Sequence, residues 1–186
     1  TKKIAHTDTY GAETVRDDFH WLEDDNAEDT KQWVTAQNET TFGYLKNIPF
    51  RKDFADRMTE LVNYPRIGAP NKVGEYYIWG KNDGLQNQSV YYYKEGEDGE
   101  EKVFMDPNTM NEEGTTAIGL LGSDKDDRYM AYRRSEAGSD WGNIYVRDME
   151  TNTDLEDELE WVKFGGAGWY KDGFFYSRYP APKDGE

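Results

Sequence analysis

A short pattern returns along the chain and limits what it can fold into. Asp126-Asp127-Arg128-Tyr129-Met130-Ala131-Tyr132 is echoed by Lys171-Asp172-Gly173-Phe174-Phe175-Tyr176, with a fainter copy at Gly74-Glu75-Tyr76-Tyr77-Ile78-Trp79. Aligning Asp126 with Asp172 gives a period of 46 residues; aligning Tyr132 with Tyr176 gives 44. An acidic turn followed by an aromatic strand, returning every 40 to 50 residues or so, points to the blades of a β-propeller. Two hairpins of a β-sandwich that agree by chance are the alternative.

The stretches around these copies support a chain of short strands. Val73–Trp79, Ser89–Tyr93, Lys102–Met105, Thr116–Leu121, Tyr129–Arg133, Asn143–Arg147, Trp161–Phe164 and Phe174–Ser177 all read as strands. Gly, Asn and Asp separate them and no helical pattern intervenes, as expected for an antiparallel sandwich, barrel or propeller. Hydrophobic residues make up only 35% of the chain while aromatic ones make up 15%, so Tyr, Trp and Phe must fill much of the core. Such side chains suit pleated, half-buried surfaces. On this spacing the β region holds only two to three blades, whereas closed propellers have about 4 to 8. Further sequence or partner chains are expected to complete it.

Residues 1 to 65 follow a different period. Asp25 and Glu28 have capping-box spacing, and Trp33, Val34, Gln37, Thr41 and Tyr44 continue a helical stripe through Leu45. Pro49 stands where a first helical turn tolerates proline. Phe50, Phe54, Met58 and Leu61 form a second stripe that Tyr64-Pro65 ends. Both helices are amphipathic, and their apolar faces need a surface to pack on.

Charge and composition exclude several roles. A formal charge of −16, from 38 acidic against 22 basic residues, disfavours nucleic acid as a partner. Without cysteine the chain has no disulfide, thiolate metal site or thiol nucleophile. No apolar run approaches the roughly 18 residues of a membrane span, so no membrane partner is expected. The chain opens Thr-Lys-Lys without methionine, as expected after removal of a leader or trimming of the sequence.

Candidate chemical sites reduce to turns and loops. The two histidines, His6 and His20, lie in the N-terminal segment, and no Gly-x-Ser-x-Gly elbow is present. Gly138-Ser139-Asp140 reads as a turn whose polar side chains bond local backbone, and His20 beside Trp21 reads as structural. Asp124, Asp126 and Asp127 fail as a calcium loop, because Arg128 and Tyr129 stand where a ligand and a glycine are needed. Glu95–Glu101 reads as a solvated hairpin loop. Gly165-Gly166-Ala167-Gly168 lacks the helix that a phosphate loop requires. No catalytic, metal or cofactor residue is therefore expected in this chain.

Several stretches resemble the prolyl oligopeptidase family, also called prolyl endopeptidases, and in particular its bacterial, flavobacterial-type members. They are Trp21-Leu22-Glu23-Asp24, Ile48-Pro49-Phe50-Arg51, Asn82-Asp83-Gly84-Leu85-Gln86-Asn87-Gln88-Ser89-Val90, Asp106-Pro107-Asn108, Gly114-Thr115-Thr116, Ser135-Glu136-Ala137-Gly138-Ser139-Asp140-Trp141 and Val162-Lys163-Phe164. The resemblance implies a mainly β chain: the first two to three blades of a seven-bladed propeller, preceded by a helical segment that belongs with an α/β-hydrolase domain. Residues 1–66 would be that segment and 67–186 the blades, with Tyr64–Pro70 crossing between them.

The implied reaction is serine-dependent hydrolysis of short proline-containing peptides after proline, with the propeller gating the active site. The family's Ser, His and Asp lie in its C-terminal region and match no position here. Phe164 alone is carried over, as a residue that helps to line the substrate pocket; an ordinary strand aromatic is the other reading. The resemblance also implies a periplasmic location, with the cytoplasm as alternative, and the C-terminal hydrolase part as partner. A peptide-binding, non-catalytic propeller-like module is the competing function.

Overall fold

The computed structural model describes residues 1–181 and 183. The backbone forms two compact units, one built on Thr1–Met58 and the other beginning at Thr59. In the first, strands β1 (Thr7–Tyr10) and β2 (Glu13–Arg16) pair antiparallel, with Gly11 at φ +63° in the turn. A 3-10 turn at His20–Leu22 leads to helix α1 (Glu28–Lys46), and helix α2 runs from Arg51 to Val62.

The start of α1 differs from the sequence expectation. Asp24, not Asp25, organises it: its Oδ1 accepts hydrogen bonds from the backbone N–H groups of Asn26 (3.0 Å) and Ala27 (3.1 Å). Ala27 then occupies the N-cap, so Glu28 is the first helical residue and not the third, and no Asp25–Glu28 box forms. Glu28 and Asp29 still favour the positive end of the helix dipole. Pro49 likewise precedes α2 by two residues instead of sitting in its first turn. Phe54, Met58 and Leu61 fall on α2 at helical spacing, and each is more than two-fifths exposed.

The second unit is a series of antiparallel sheets. The first sheet contains β3 (Arg66–Ile67), β4 (Asn71–Val73), β5 (Tyr76–Asn82), β6 (Val90–Glu95) and β7 (Lys102–Met105). β3 and β4 both pair with β5, at its end and its start, and act as one interrupted strand. The second sheet is a complete four-stranded blade: β8 (Ala117–Ser123), β9 (Tyr129–Ser135), β10 (Trp141–Asp148) and β11 (Thr153–Lys163) lie side by side in chain order. β12 (Ala167–Tyr170) and β13 (Gly173–Tyr176) form a third, two-stranded sheet.

The sequence echo is a repeated turn. Gly74, Asp127 and Lys171 adopt φ of +56°, +55° and +54°, and each stands two residues before its sheet's second strand, β5, β9 or β13. Here the expected single strand Val73–Trp79 is corrected to a hairpin, since the left-handed residue Gly74 reverses the chain. A Cβ on Gly74 would come within 2.8 Å of Asp127 Cβ, so the turns of the first two sheets lie against one another.

Successive sheets bury their faces on each other. On β9, Met130 and Tyr132 join Ile78, Phe104, Met105 and Met149 in one apolar cluster, while Ala131 joins Ile144 and Val162 in another. Alternate residues of one strand thus serve the two neighbouring sheets, as the period of two requires. Leu159, Trp169 and Phe174 close the second cluster, and Trp169 Nε1 donates to Gly122 O at 2.9 Å. The outer strand β11 was foreseen only as Trp161–Phe164. Its longer run, Asp154 to Glu160, is acidic and largely exposed, a composition that discourages pairing of an edge strand with other chains. Among the described residues no helix is long and apolar enough to cross a membrane.

Candidate functional site

Strand register brings one set of loops to a common end of the sheets. Arg66 pairs with Asn82 and Lys81 with Val90 in the first sheet; Ala117 and Gly142 both pair with Ser135, and Trp141 with Lys163, in the second. The loops after β5, β7, β9 and β11 therefore open where the chain enters the first sheet at Arg66. The opposite end carries the tight turns after β4, β8 and β12.

The loops are fastened by polar side chains. Asn82, only 5% exposed, accepts from Gly84 N (2.9 Å) and an Arg66 guanidinium nitrogen (3.0 Å) and donates to Gln86 O (3.0 Å). Gly84 has φ +134°, and a Cβ there would lie 2.5 Å from Asn63 Oδ1 and 3.0 Å from Tyr64 N, so the Asn82–Val90 stretch receives the incoming strand at close range. Asn108 exchanges hydrogen bonds with the backbone of Gln88 (2.9 and 3.0 Å), and Asn87 donates to Gly114 O at 3.2 Å.

Glu136 fastens the β9–β10 loop to the segment before β8. Its carboxylate accepts from Thr116 Oγ1 (2.7 Å), Asn111 Nδ2 (2.5 Å) and Arg134 Nε (2.6 Å). Partial burial alone would push this carboxyl up, yet those three hydrogen bonds and the Arg134 charge hold it below the usual carboxylate range. Its folded value is thus depressed, so the unfolded chain binds more protons at acid pH and stability falls as pH drops. The contribution is complete above the unfolded value near 4.5 and is lost as pH falls through the folded one. We expect Glu136→Gln to flatten the decline of melting temperature below pH 4.5; an unchanged acid limb would show that Glu136 is not a source of it.

Phe164 stands immediately after β11. It is not part of the strand, which ends at Lys163: its φ is +52° and it is 74% exposed. Lys163 Nζ lies 5.7 Å from its ring centroid and 5.1 Å from that of Trp141. Trp141 packs edge-on against Trp161 (6.0 Å) and Tyr179 (5.5 Å), and Tyr179 N donates to Trp161 O at 2.9 Å. Beside these rings a groove of about 380 Å³ is lined by Arg134, Ser139, Trp141, Asn143, Glu160 and Trp161. Sequence reading picked out Phe164 but missed the groove. Trp141 was visible in its motif, while Tyr179 joins only through chain reversal after β13.

The Ser139 and Asp124 segments that carry hydroxyl and carboxyl groups are turns. Ser139 Oγ accepts from Trp141 N at 3.1 Å, and Ser139 N donates to Glu136 O, which makes this segment the expected turn. Asp124 Oδ1 accepts from the N–H groups of Arg128 and Tyr129, both at 2.8 Å, and Ser123 Oγ bonds Asp127 at 2.5 Å, so that acidic run is also a turn.

The family model for the N-terminal β-propeller domain of prolyl oligopeptidase matches residues 1–186. The chain belongs to the prolyl oligopeptidase family. It is 47% identical, over all 186 residues, to the prolyl endopeptidase of Elizabethkingia meningoseptica, of which it covers 26%. It is 37% identical to prolyl oligopeptidase A of Amanita bisporigera, where 96% of this chain covers 27% of the relative. Among solved structures, a prolyl endopeptidase studied for inter-domain dynamics in catalysis and specificity superposes with a TM-score of 0.87 at 27% identity, covering 98% of this chain and 27% of that one. Prolyl oligopeptidase B of Galerina marginata, bound to a 25mer macrocyclization substrate, gives 0.80 at 31% identity, with 98% and 29% covered. The chain thus spans about a quarter of the length of these prolyl oligopeptidase relatives.

Proposed function

We propose that this chain is the first portion of a serine peptidase that cleaves short peptides after proline, and that its blades gate and line the route to the active site. In this reading residues 1–66 belong with an α/β-hydrolase domain, 67–186 are the first blades of the propeller, and triad residues come from outside these 186 positions. The observation that carries it is the shared end of the sheets. Phe164, the Trp141 cluster and the groove open at the end of the sheets where the chain enters at Arg66, the end to which such a domain would be joined. The exposed apolar residues of α2 are then covered by the hydrolase domain.

A triad mechanism needs a base to take the serine proton and donors for the tetrahedral oxyanion. An aromatic, partly cationic platform contributes substrate binding instead. The full-length protein is expected to release chromophore from a blocked Gly-Pro anilide and to be silenced by a serine-directed organophosphate. The 186-residue chain alone is expected to show no turnover, because no acyl-enzyme forms without the nucleophile. A full-length protein that binds proline peptides without cleaving them would favour the non-catalytic module.

A further inference from the structure

We infer that His6, His20 and Asp8 form a binding site for a divalent transition-metal ion of the zinc class. The two histidines come from different elements, the approach to β1 and the 3-10 turn after β2, yet their rings stack with centroids 3.7 Å apart and 2° between planes. Asp8 Oδ1 is 3.0 Å from His6 Nε2, and ligand atoms of all three residues lie within 4.8 Å of one another. All three are half-buried.

Two features set this cluster apart from ordinary surface charge. Backbone bonds fix its frame: Ile4 N donates to Asp18 O (3.0 Å), Asp17 N to His6 O (3.1 Å), and Thr7 pairs with Arg16. Independently, the Nδ1 atom of His20 is shielded from solvent and has no hydrogen-bond partner. Glu23 Oε2 stands 3.4 Å away, an ion-pair distance without hydrogen-bond geometry. A shielded imidazole nitrogen left without a hydrogen bond is costly, and in the tautomer that carries its proton on Nε2 it offers a lone pair to an ion.

The donor set indicates the class of ion. Two imidazoles and a carboxylate, without thiolate, suit zinc and its neighbours over calcium or magnesium, which prefer oxygen. Asp17 and Glu23 form a second cluster with His20, so two further carboxylates lie close to that histidine and favour a cation. An ion sits in the plane of each ring it binds. Loading therefore opens the parallel pair by side-chain rotation and clasps the β1–β2 hairpin to the 3-10 turn.

The test uses the full-length protein, dialysed against chelator and titrated with Zn²⁺ at pH 7.5. Wild type is expected to bind one ion more than His6→Ala or His20→Ala, and Asp8→Asn to weaken that site at least about tenfold, the scale on which even supporting partners of a ligand act. Zinc should raise the melting temperature of wild type more than that of either histidine variant. Diethylpyrocarbonate footprinting of wild type, read by mass spectrometry, decides the matter should a histidine variant lose its fold. Zinc should protect both His6 and His20, and equal modification with and without zinc, or unchanged stoichiometry in folded variants, would overturn the site.

Discussion

Ile144→Ala is expected to destabilise the folded protein by about 2–5 kcal/mol, the range for removing a large aliphatic side chain from a packed core. Ile144 is 0% exposed and lies mid-blade on β10, opposite Arg133 of β9 and Leu159 of β11. It packs with Ala131 and Val162 against a cluster completed by Trp169 and Phe174 of the next sheet. The strands around it are hydrogen-bonded on both sides, so they have little freedom to collapse into the vacated space. For a unit of this size the loss corresponds to a fall in melting temperature of roughly 8–20 °C. Ile144→Val should lose only about 0.5–1.5 kcal/mol, and Leu85→Ala, at a half-exposed loop position, should stay within about 0.5 kcal/mol. Equal melting temperatures for Ile144→Ala and Leu85→Ala would contradict face-to-face packing of the second and third sheets.

What the sequence disclosed follows from the range of the interactions involved. The repeated aromatic strands were legible because each sheet solves the same local problem: a turn residue at positive φ, then an aromatic strand, buried on both faces in β5 and β9 and half-exposed in β13. Gly74, Asp127 and Lys171 are three different residue types in one conformation, so identity alone could not show that the turns coincide. β11 was nearly invisible because an exposed edge strand selects for charge, and Asp154 to Glu160 carry little apolar alternation. β1 and β2 were missed for a related reason, since a two-stranded hairpin with mostly exposed residues leaves no period-two pattern.

The site was legible to a smaller degree. The Asn82–Val90 and Asp106–Asn108 motifs stood out as family signatures, but their task shows only in the fold. Asn82 fastens the incoming strand and Asn108 joins two loops. Glu136 gave no signal of its own, because its partners Thr116, Asn111 and Arg134 come from sequence neighbours and from 20 to 25 residues upstream. The pairing of His6 with His20 depends on the register of the β1–β2 hairpin, which the sequence reading lacked.

The role assigned to Phe164 allows the account to be tested most directly. Its ring is 74% exposed at the end of the sheets where the chain enters, so its removal should leave the fold nearly intact. If the ring lines the substrate route, truncation removes apolar contact made equally in the ground and transition states. The loss should be on the order of 1–3 kcal/mol, or roughly 5- to 150-fold in affinity. Uniform binding of this kind appears in KM and leaves kcat alone, since triad geometry is untouched. The decisive measurement is steady-state kinetics and melting temperature of Phe164→Ala in the full-length enzyme, on a blocked Gly-Pro substrate. The account predicts a KM raised at least about fivefold, with kcat and melting temperature close to wild type. An unchanged KM would contradict it and remove Phe164 from the substrate route.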